Sequence, residues 1–482
     1  MLAPDASAAD PLLAQLTRQV GRWCAERVDA RAIDADRTIG PDLRRDVASL
    51  GLTGLTLPTT HGGAGLRLDE ACPIVAALAE HDRSLATTVG LHLGLGTRGL
   101  VAYGAHDLQD ELLGSLASGD RIGAFCATEP SAGSDLSRLR TTIRDAGDGS
   151  GDLLVRGDKI FVTNGAWAGC YTVLGERLGP DGGPRGRALV VVLPEDAGVE
   201  VGREETKLGL RGSSTTPIRF ADVRVPRRRL LGEPHAFPDP LGHVLSWGRT
   251  LLAAGCVGAA SAAWRAARRT TRLREQFGAS LDRNEVVREQ LVNADALRGA
   301  MEATVLDAAS DADTLADRSL VAKVLCSEGA WEIADLAVQL HGGTGFVEDS
   351  GIPLLLRDTR VPRIFEGAND VLLQQIAVRT LSSPRRTPTP PASGAEAALA
   401  EAVDAAVRRA RATFPGIRLL REPRVLHRLG RLLVLRESVA AVARLGRRPE
   451  LDRHWAALAH DRALPHLSPP QPLPPLRDAE ES

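Results

Sequence analysis

Arg363-Ile364-Phe365-Glu366-Gly367-Ala368-Asn369-Asp370 sets one carboxylate between an apolar pair and a glycine, directly before a helical run over 371–380. A glutamate so placed loses water, and burial disfavours its charged form, raising the pKa above its reference of about 4.3. That suits it to pulling a proton off carbon. Taken alone, the octapeptide equally fits a Glu near a helix start that complements the helix dipole. Upstream, helical periodicity holds from 241 to 380, through 251–269, 284–310 and 319–340, and amounts to a four-helix bundle.

Before the bundle, the pattern over 122–232 changes to short alternating or β-branched runs, such as 153–155, 189–193 and 218–225, separated by Gly, Asp and Pro turns. That predicts a small β domain, as a barrel or sandwich. Over 11–121 apolar residues recur at helical spacing, as in Ile74, Val75, Leu78 and Ala79, with interruptions at Gly62-Gly63 and between Gly94 and Gly99. The expected fold is mostly α with a central β domain. Its parts are an N-terminal helical domain (1–121), the β domain (122–235), a helical bundle (236–381), a Pro-rich linker (382–394), a further helical segment (395–467) and a disordered tail (468–482).

A chain of 482 residues has room for about three domains, and its formal net charge of −2 gives no reason to expect nucleic acid. No apolar stretch approaches the roughly 20 residues that span a bilayer, and residues 1–10 carry acid rather than an Arg-rich transit face. A cytoplasmic protein is expected. The six cysteines show no C-x-x-C spacing, so free thiols are expected instead of disulfides or zinc. From Pro384 onward there are seventeen arginines against eleven acids, a net +6 against −8 for the rest. Arg421, Arg424, Arg428 and Arg431 keep helical spacing beside Leu426, Leu429, Leu432 and Leu433. Such a segment reads as a helix docked on its own core under a solvated basic stripe, or as a separable surface for anionic lipid or a partner.

Five blocks, in order, resemble the acyl-CoA dehydrogenase family. They are Ala124-Phe125-Cys126-Ala127-Thr128-Glu129-Pro130-Ser131-Ala132-Gly133-Ser134-Asp135, Lys159-Ile160-Phe161-Val162-Thr163-Asn164-Gly165, Arg274-Glu275-Gln276-Phe277-Gly278, Gln339-Leu340-His341-Gly342-Gly343-Thr344-Gly345-Phe346, and the Glu366 octapeptide. The wording of the last, with the extra helical segment, looks most like the very-long-chain branch. The resemblance implies FAD, with Glu366 as base and its backbone N–H, beside a flavin hydroxyl, holding the thioester oxygen. Phe125, Ala127, Thr128, Phe161 and Thr163 match positions around the flavin ring. Arg274, Phe277, Gln339 and Gly343 match residues that reach the ADP half from a neighbouring subunit, which implies at least a homodimer. Ser134 and Arg249 match substrate-contacting positions.

Each position has a plainer reading too: Phe125 and Phe161 as core, Ser131 to Asp135 as a capping turn, Arg274 as a solvated helix arginine, Gln339 as a helix end. The chain also departs from relatives. Phe161 stands where many carry Trp, keeping an aromatic plane. Ala368 stands where a Thr is usual, removing one hydrogen bond of about 0.5–1.5 kcal/mol near the cofactor phosphates. Gly248 occupies the position before Arg249 where some members place the base, so no rival carboxylate exists there. Ser246 replaces an acidic contact to the thioester's arm, which leaves CoA and a carrier protein both open.

The expected reaction is α,β-dehydrogenation of an acyl thioester to the trans-2-enoyl product, with electrons leaving through an electron-transfer flavoprotein. An oxygen-using oxidase and a non-catalytic interaction protein of the same fold are the alternatives. Gly94-Leu95-Gly96-Thr97-Arg98-Gly99 fits G-x-G-x-x-G, but its helical surroundings exclude a Rossmann site; close packing, or room for an acyl chain, explains the glycines better. His81, His92 and His106 do not converge on a metal.

Overall fold

A computed structural model describes residues 11–232, 239–382, 394–446 and 448–468. The expected linker and tail lie outside these residues apart from their ends. The N-terminal part is helical: α1 (Pro11–Arg27), α2 (Ala30–Asp36), α3 (Pro41–Ser49), α4 (Leu68–His81), α5 (Arg83–Leu91), α6 (Arg98–Tyr103) and α7 (His106–Ser118). Asp82 separates α4 from α5 and caps the latter, accepting from the Leu85 N–H at 2.6 Å. Between α5 and α6, residues His92–Gly96 form a π-helical turn. An added Cβ at Gly94 would lie 3.1 Å from Gly248 Cα, and one at Gly96 would lie 2.6 Å from the Gly123 carbonyl carbon. These glycines therefore serve close packing, and His92 locks the same junction. Gly123 N–H donates to His92 Nδ1 at 2.8 Å, so Nε2 carries the hydrogen that meets Thr53 O at 2.9 Å. Burial pushes this histidine's pKa down to about 4.

The middle of the chain forms β1 (Ile122–Cys126), β2 (Thr142–Asp145), β3 (Leu153–Thr163), β4 (Ala168–Leu178), β5 (Pro184–Val192), β6 (Val199–Val201) and β7 (Thr215–Val225). They make one seven-stranded sheet in the order β1-β4-β2-β3-β7-β6, with β5 on the other edge of β4. Val173, Val190, Val192, Tyr171 and Phe220 build its own core. The β3–β7 register slips between Lys159 and Val162. That bulge sets Phe161 at φ 56° and leaves its ring 61% exposed at the sheet's edge.

Four long helices follow: α8 (Pro240–Leu273), α9 (Glu285–Ala309), α10 (Leu315–His341) and, after short α11 (Gly343–Phe346) and α12 (Ile352–Arg360), α13 (Asn369–Ser382). Asp239 caps α8 through the Leu241 and Gly242 N–H groups, with Pro240 in the first turn. Its middle is apolar on every side and buried, and α4 packs so close to Gly258 that a side chain there would strike the Ala76 carbonyl. α8 is thus the axis on which the N-terminal helices and the bundle meet.

The segment after the linker forms α14 (Gly394–Thr413), α15 (Pro423–Leu445) and α16 (Pro449–Leu467). The expectation of a separable surface does not hold. Leu426, Leu429, Leu432 and Leu433 are buried, and Gly430 packs against the Leu373 backbone of α13. Arg444 meets Asp307 at 2.7 Å, Arg448 meets Asp295 at 2.8 Å, and His427 meets Asp370 at 2.9 Å. The leucines of the stripe need an apolar partner, and the bundle supplies it. Among the described residues no helix is long and apolar enough to cross a membrane, and all six cysteines are free and buried.

Candidate active site

Glu366 follows the 3₁₀ turn Val361–Arg363 and sits at φ 54°, a left-handed conformation uncommon for a residue with a side chain. The strain turns the backbone out of the local ladder, and among the described residues the Glu366 N–H has no acceptor. Its Oε2 is buried with no hydrogen-bond partner. Burial pushes the carboxyl's pKa up to about 7, against the downward pull of Arg249, Lys323 and Arg83. The group borders a small cavity lined by Arg83, Ala86, Thr87, Gly90, Leu91, Gly248, Leu251, Leu252 and Phe365.

Gly248 explains how the carboxylate fits. A Cβ there would stand 2.8 Å from Glu366 Oε2 and closer still to the Leu95 side chain, so only glycine leaves both in place. Next to it, Arg249 is nearly buried and its Nε–H donates to the Glu366 carbonyl at 3.0 Å. This guanidinium positions the base-bearing turn. Ser246 turns its hydroxyl to Gly242 O at 2.7 Å.

Two positioning groups escaped the sequence reading. Lys323 is wholly buried in α10 and donates to Gly367 O at 2.6 Å and Asn369 Oδ1 at 2.7 Å, pinning the residues just after Glu366. Burial lowers its pKa to about 8. Asn369 in turn donates to Ser327 Oγ at 2.9 Å and Glu328 Oε1 at 2.6 Å. The second is the buried pair Lys159–Glu129 at 2.8 Å, which ties β3 to the turn after β1. Glu129 also accepts from the Arg140 and Thr141 N–H groups. A signal for both was present: only three lysines occur in the chain, and Lys323 stands in the apolar run Val321-Ala322-Lys323-Val324-Leu325.

The pair brings the ring-contacting candidates together. Ile160 N–H donates to Thr128 O at 2.9 Å, so Ala127 and Thr128 adjoin the Phe161 bulge, with Thr163 paired to Thr215 behind it. Among the described residues the Thr128 hydroxyl has no partner. Phe125 is buried, and its plainer reading as a core residue stands beside the other. An exposed aromatic face beside a free hydroxyl fits a planar, hydrogen-bonding ring such as a flavin. Ser134 is exposed, and the cap of that turn is Asp135, which accepts from Ser137 N–H at 3.0 Å.

Arg274, Phe277, Gln339 and Gly343 are all exposed at the far end of α8 and α10. The strands β8 (Glu275–Gln276) and β9 (Ala279–Ser280) make a hairpin whose two turn residues, Phe277 and Gly278, both have positive φ, so the Phe277 ring projects fully into solvent. Arg274 ties the hairpin to α10, its Nη1 donating to His341 O at 2.9 Å. Leu273, Phe346 and Val347 extend the same apolar exposure. Ala368 heads α13, its carbonyl accepting from Val371 and Leu372 N–H, without a side-chain oxygen to add.

A helical domain, a sheet domain and a helical bundle, with one partnerless carboxylate buried at the junction, is the architecture of flavin-dependent dehydrogenases. The chain belongs to the acyl-CoA dehydrogenase family: its N-terminal, middle and C-terminal domains match residues 13–120, 124–223 and 241–381. It is 31% identical over 375 residues to the very long-chain specific acyl-CoA dehydrogenase, mitochondrial, of Mus musculus, covering 76% of this chain and 57% of that protein. The chain thus spans little more than half the length of that relative. An acyl-CoA dehydrogenase of Bacillus subtilis is 34% identical over 329 residues, covering 67% of this chain and 84% of that one. The structure of an acyl-CoA dehydrogenase from Bacillus anthracis complexed with FAD shares the fold across 96% of this chain and 89% of its own, at TM-score 0.85 and 23% identity.

Proposed function

We propose that this chain is an FAD-dependent dehydrogenase of an acyl thioester, forming the trans-2-enoyl product, with Glu366 as the base. The observation that carries this is the buried Glu366 Oε2, unpartnered at the cavity and held at a pKa of about 7, where a base is half-charged near neutral pH. The idle Glu366 N–H is a ready donor for the thioester oxygen as charge develops there. Arg249 and Lys323 hold this turn against its strain, keeping carboxylate and N–H in register. FAD, when bound, supplies the hydride acceptor for the β-carbon.

Phe125, Ala127, Thr128, Phe161 and Thr163 would hold the flavin ring. The exposed group around Arg274, Phe277, Gln339 and Gly343 would hold the ADP half of a second copy's cofactor, which accounts for apolar side chains left bare on a single chain. The working unit is then a homodimer, with an electron-transfer flavoprotein as electron acceptor. Ser246 gives the carrier no acidic contact, so CoA and carrier-protein thioesters both belong in the assay. Anaerobic flavin bleaching by acyl thioesters tests the reading. Glu366→Gln should keep FAD and lose reduction by about 10²- to 10⁴-fold. A variant reducing at the parent's rate would remove Glu366 as base, and a chain taking up no FAD would favour the non-catalytic alternative.

A further inference from the structure

The helices α14, α15 and α16 share one end. Arg409 of α14 donates to Leu467 O at 2.9 Å and Arg428 of α15 to Ser468 O at 2.8 Å, so the last turn of α16 lies against the end of α14 and the start of α15. The connection Gly416–Arg421 crosses that end as a 3₁₀ turn. Residues 414–431 hold five arginines and one acid, Glu422. Arg418 stacks on Phe414, its guanidinium 6.0 Å from the ring centroid, while Arg421 and Arg424 are exposed and have no hydrogen-bond or ion-pair partner among the described residues. His466, in the last turn of α16, lies among the same charges: burial, then Arg431, Arg428 and His427, hold its pKa below the usual value.

Apolar side chains are bare at this same end. Ile417 is 70% exposed, Leu464 51% and Leu420 37%. By contrast, Leu399, Leu429 and Leu433 of the same layer are buried, and its other arginines are paired, as Arg436 is with Asp404 and Arg444 with Asp307. A basic and apolar end on an otherwise satisfied layer calls for a cover that is apolar and acidic.

We propose that residues 469–482 of the same chain cover this end: the proline-rich run lies over Ile417, Leu420 and Leu464, and Asp478, Glu480 and Glu481 pair with Arg418, Arg421 and Arg424. Ser468, the last described residue, is already held by Arg428, so the segment starts on the surface it covers. Five of the eight residues 469–476 are proline, with Leu473 and Leu476 among them. That composition favours an extended polyproline II chain, which docks on apolar and aromatic surfaces at little cost in order. At about 3.1 Å per residue, the stretch from Ser468 to Asp478 reaches up to roughly 31 Å, against roughly 10 Å along α15 from Arg424 to Arg431. Residues 478–482 carry three acids and no base. Tethering raises their local concentration into the millimolar range, so weak surface pairs suffice.

The test is hydrogen exchange, read by mass spectrometry, on the FAD-loaded full chain, on its Asp478→Asn/Glu480→Gln/Glu481→Gln variant and on the chain ending at Ser468. At low salt the amides of 414–424 should exchange at least about threefold more slowly in the full chain than in either variant, the worth of a few exposed ion pairs. Its advantage over the neutralised variant should shrink in about 0.5 M salt, which screens exposed charge. A synthetic peptide of residues 469–482 added to the shortened chain should restore the protection. Exchange over 285–309, in α9 beneath the layer, should be the same in all three proteins; if shortening disturbs it, the neutralised variant, which removes no apolar contact, decides alone. Equal exchange over 414–424 in the full chain and the neutralised variant overturns the proposal. Protection that grows with protein concentration assigns the cover to a second copy, and capture of the full chain by anionic vesicles at low salt shows the end open to lipid; either result overturns it too.

Discussion

Replacing Glu366 by Gln should stabilise the protein at alkaline pH, because the parent keeps a carboxylate where water and partners are missing. Its pKa moves from an ordinary 4.5 to about 7, with burial the largest cause. At 1.36 kcal/mol per pH unit that difference corresponds to about 3 kcal/mol. The sign follows from the folded pKa lying above the unfolded one: the folded state holds its proton more tightly. The penalty is absent below the unfolded pKa, grows as pH rises through the interval, and is complete above about 7. Glu366→Gln has no proton to lose there and the same shape. Urea unfolding of both FAD-loaded proteins at pH 4.5 and pH 8 should show a gap in favour of the variant that opens by about 3 kcal/mol between the two. The parent's anaerobic flavin reduction should slow about tenfold from pH 8 to pH 6 as the same group takes up its proton. A constant stability gap, or a variant less stable at pH 8, would refute the claim that this carboxylate is strained by desolvation, whatever became of the activity.

Arg274→Ala should weaken FAD retention more than thioester binding, because its guanidinium anchors an exposed hairpin far along α8 from Glu366; an unchanged FAD dissociation constant would argue against a cofactor shared between two copies. Deleting residues 394–482 should give aggregated or FAD-poor protein at any salt concentration, because it bares the bundle face covered by Leu426, Leu429, Leu432 and Leu433, each worth about 1.5–3 kcal/mol when buried. A soluble truncated chain with full FAD content would restore the separable segment.

The sequence by itself determined the order of helical, sheet and helical parts, because a period of 3.6 or of 2 is written in neighbouring residues. It also marked Glu366, whose Ile-Phe and Gly neighbours announce burial, and the five phrases that carry the family resemblance. What it could not decide were matters of distant residues meeting. Whether the leucines of α15 face the bundle or a partner depends on an apolar surface more than 50 residues away at Leu373. Lys323 gains its meaning only where α10 passes beneath Gly367, and Arg249 only where α8 reaches the Glu366 carbonyl. The exposure of Phe161 depends on a register slip against β7. Local pattern says which way a side chain faces on its own element; only the packed chain sets the partners and the water it finds there, and these fix charge, strain and chemistry.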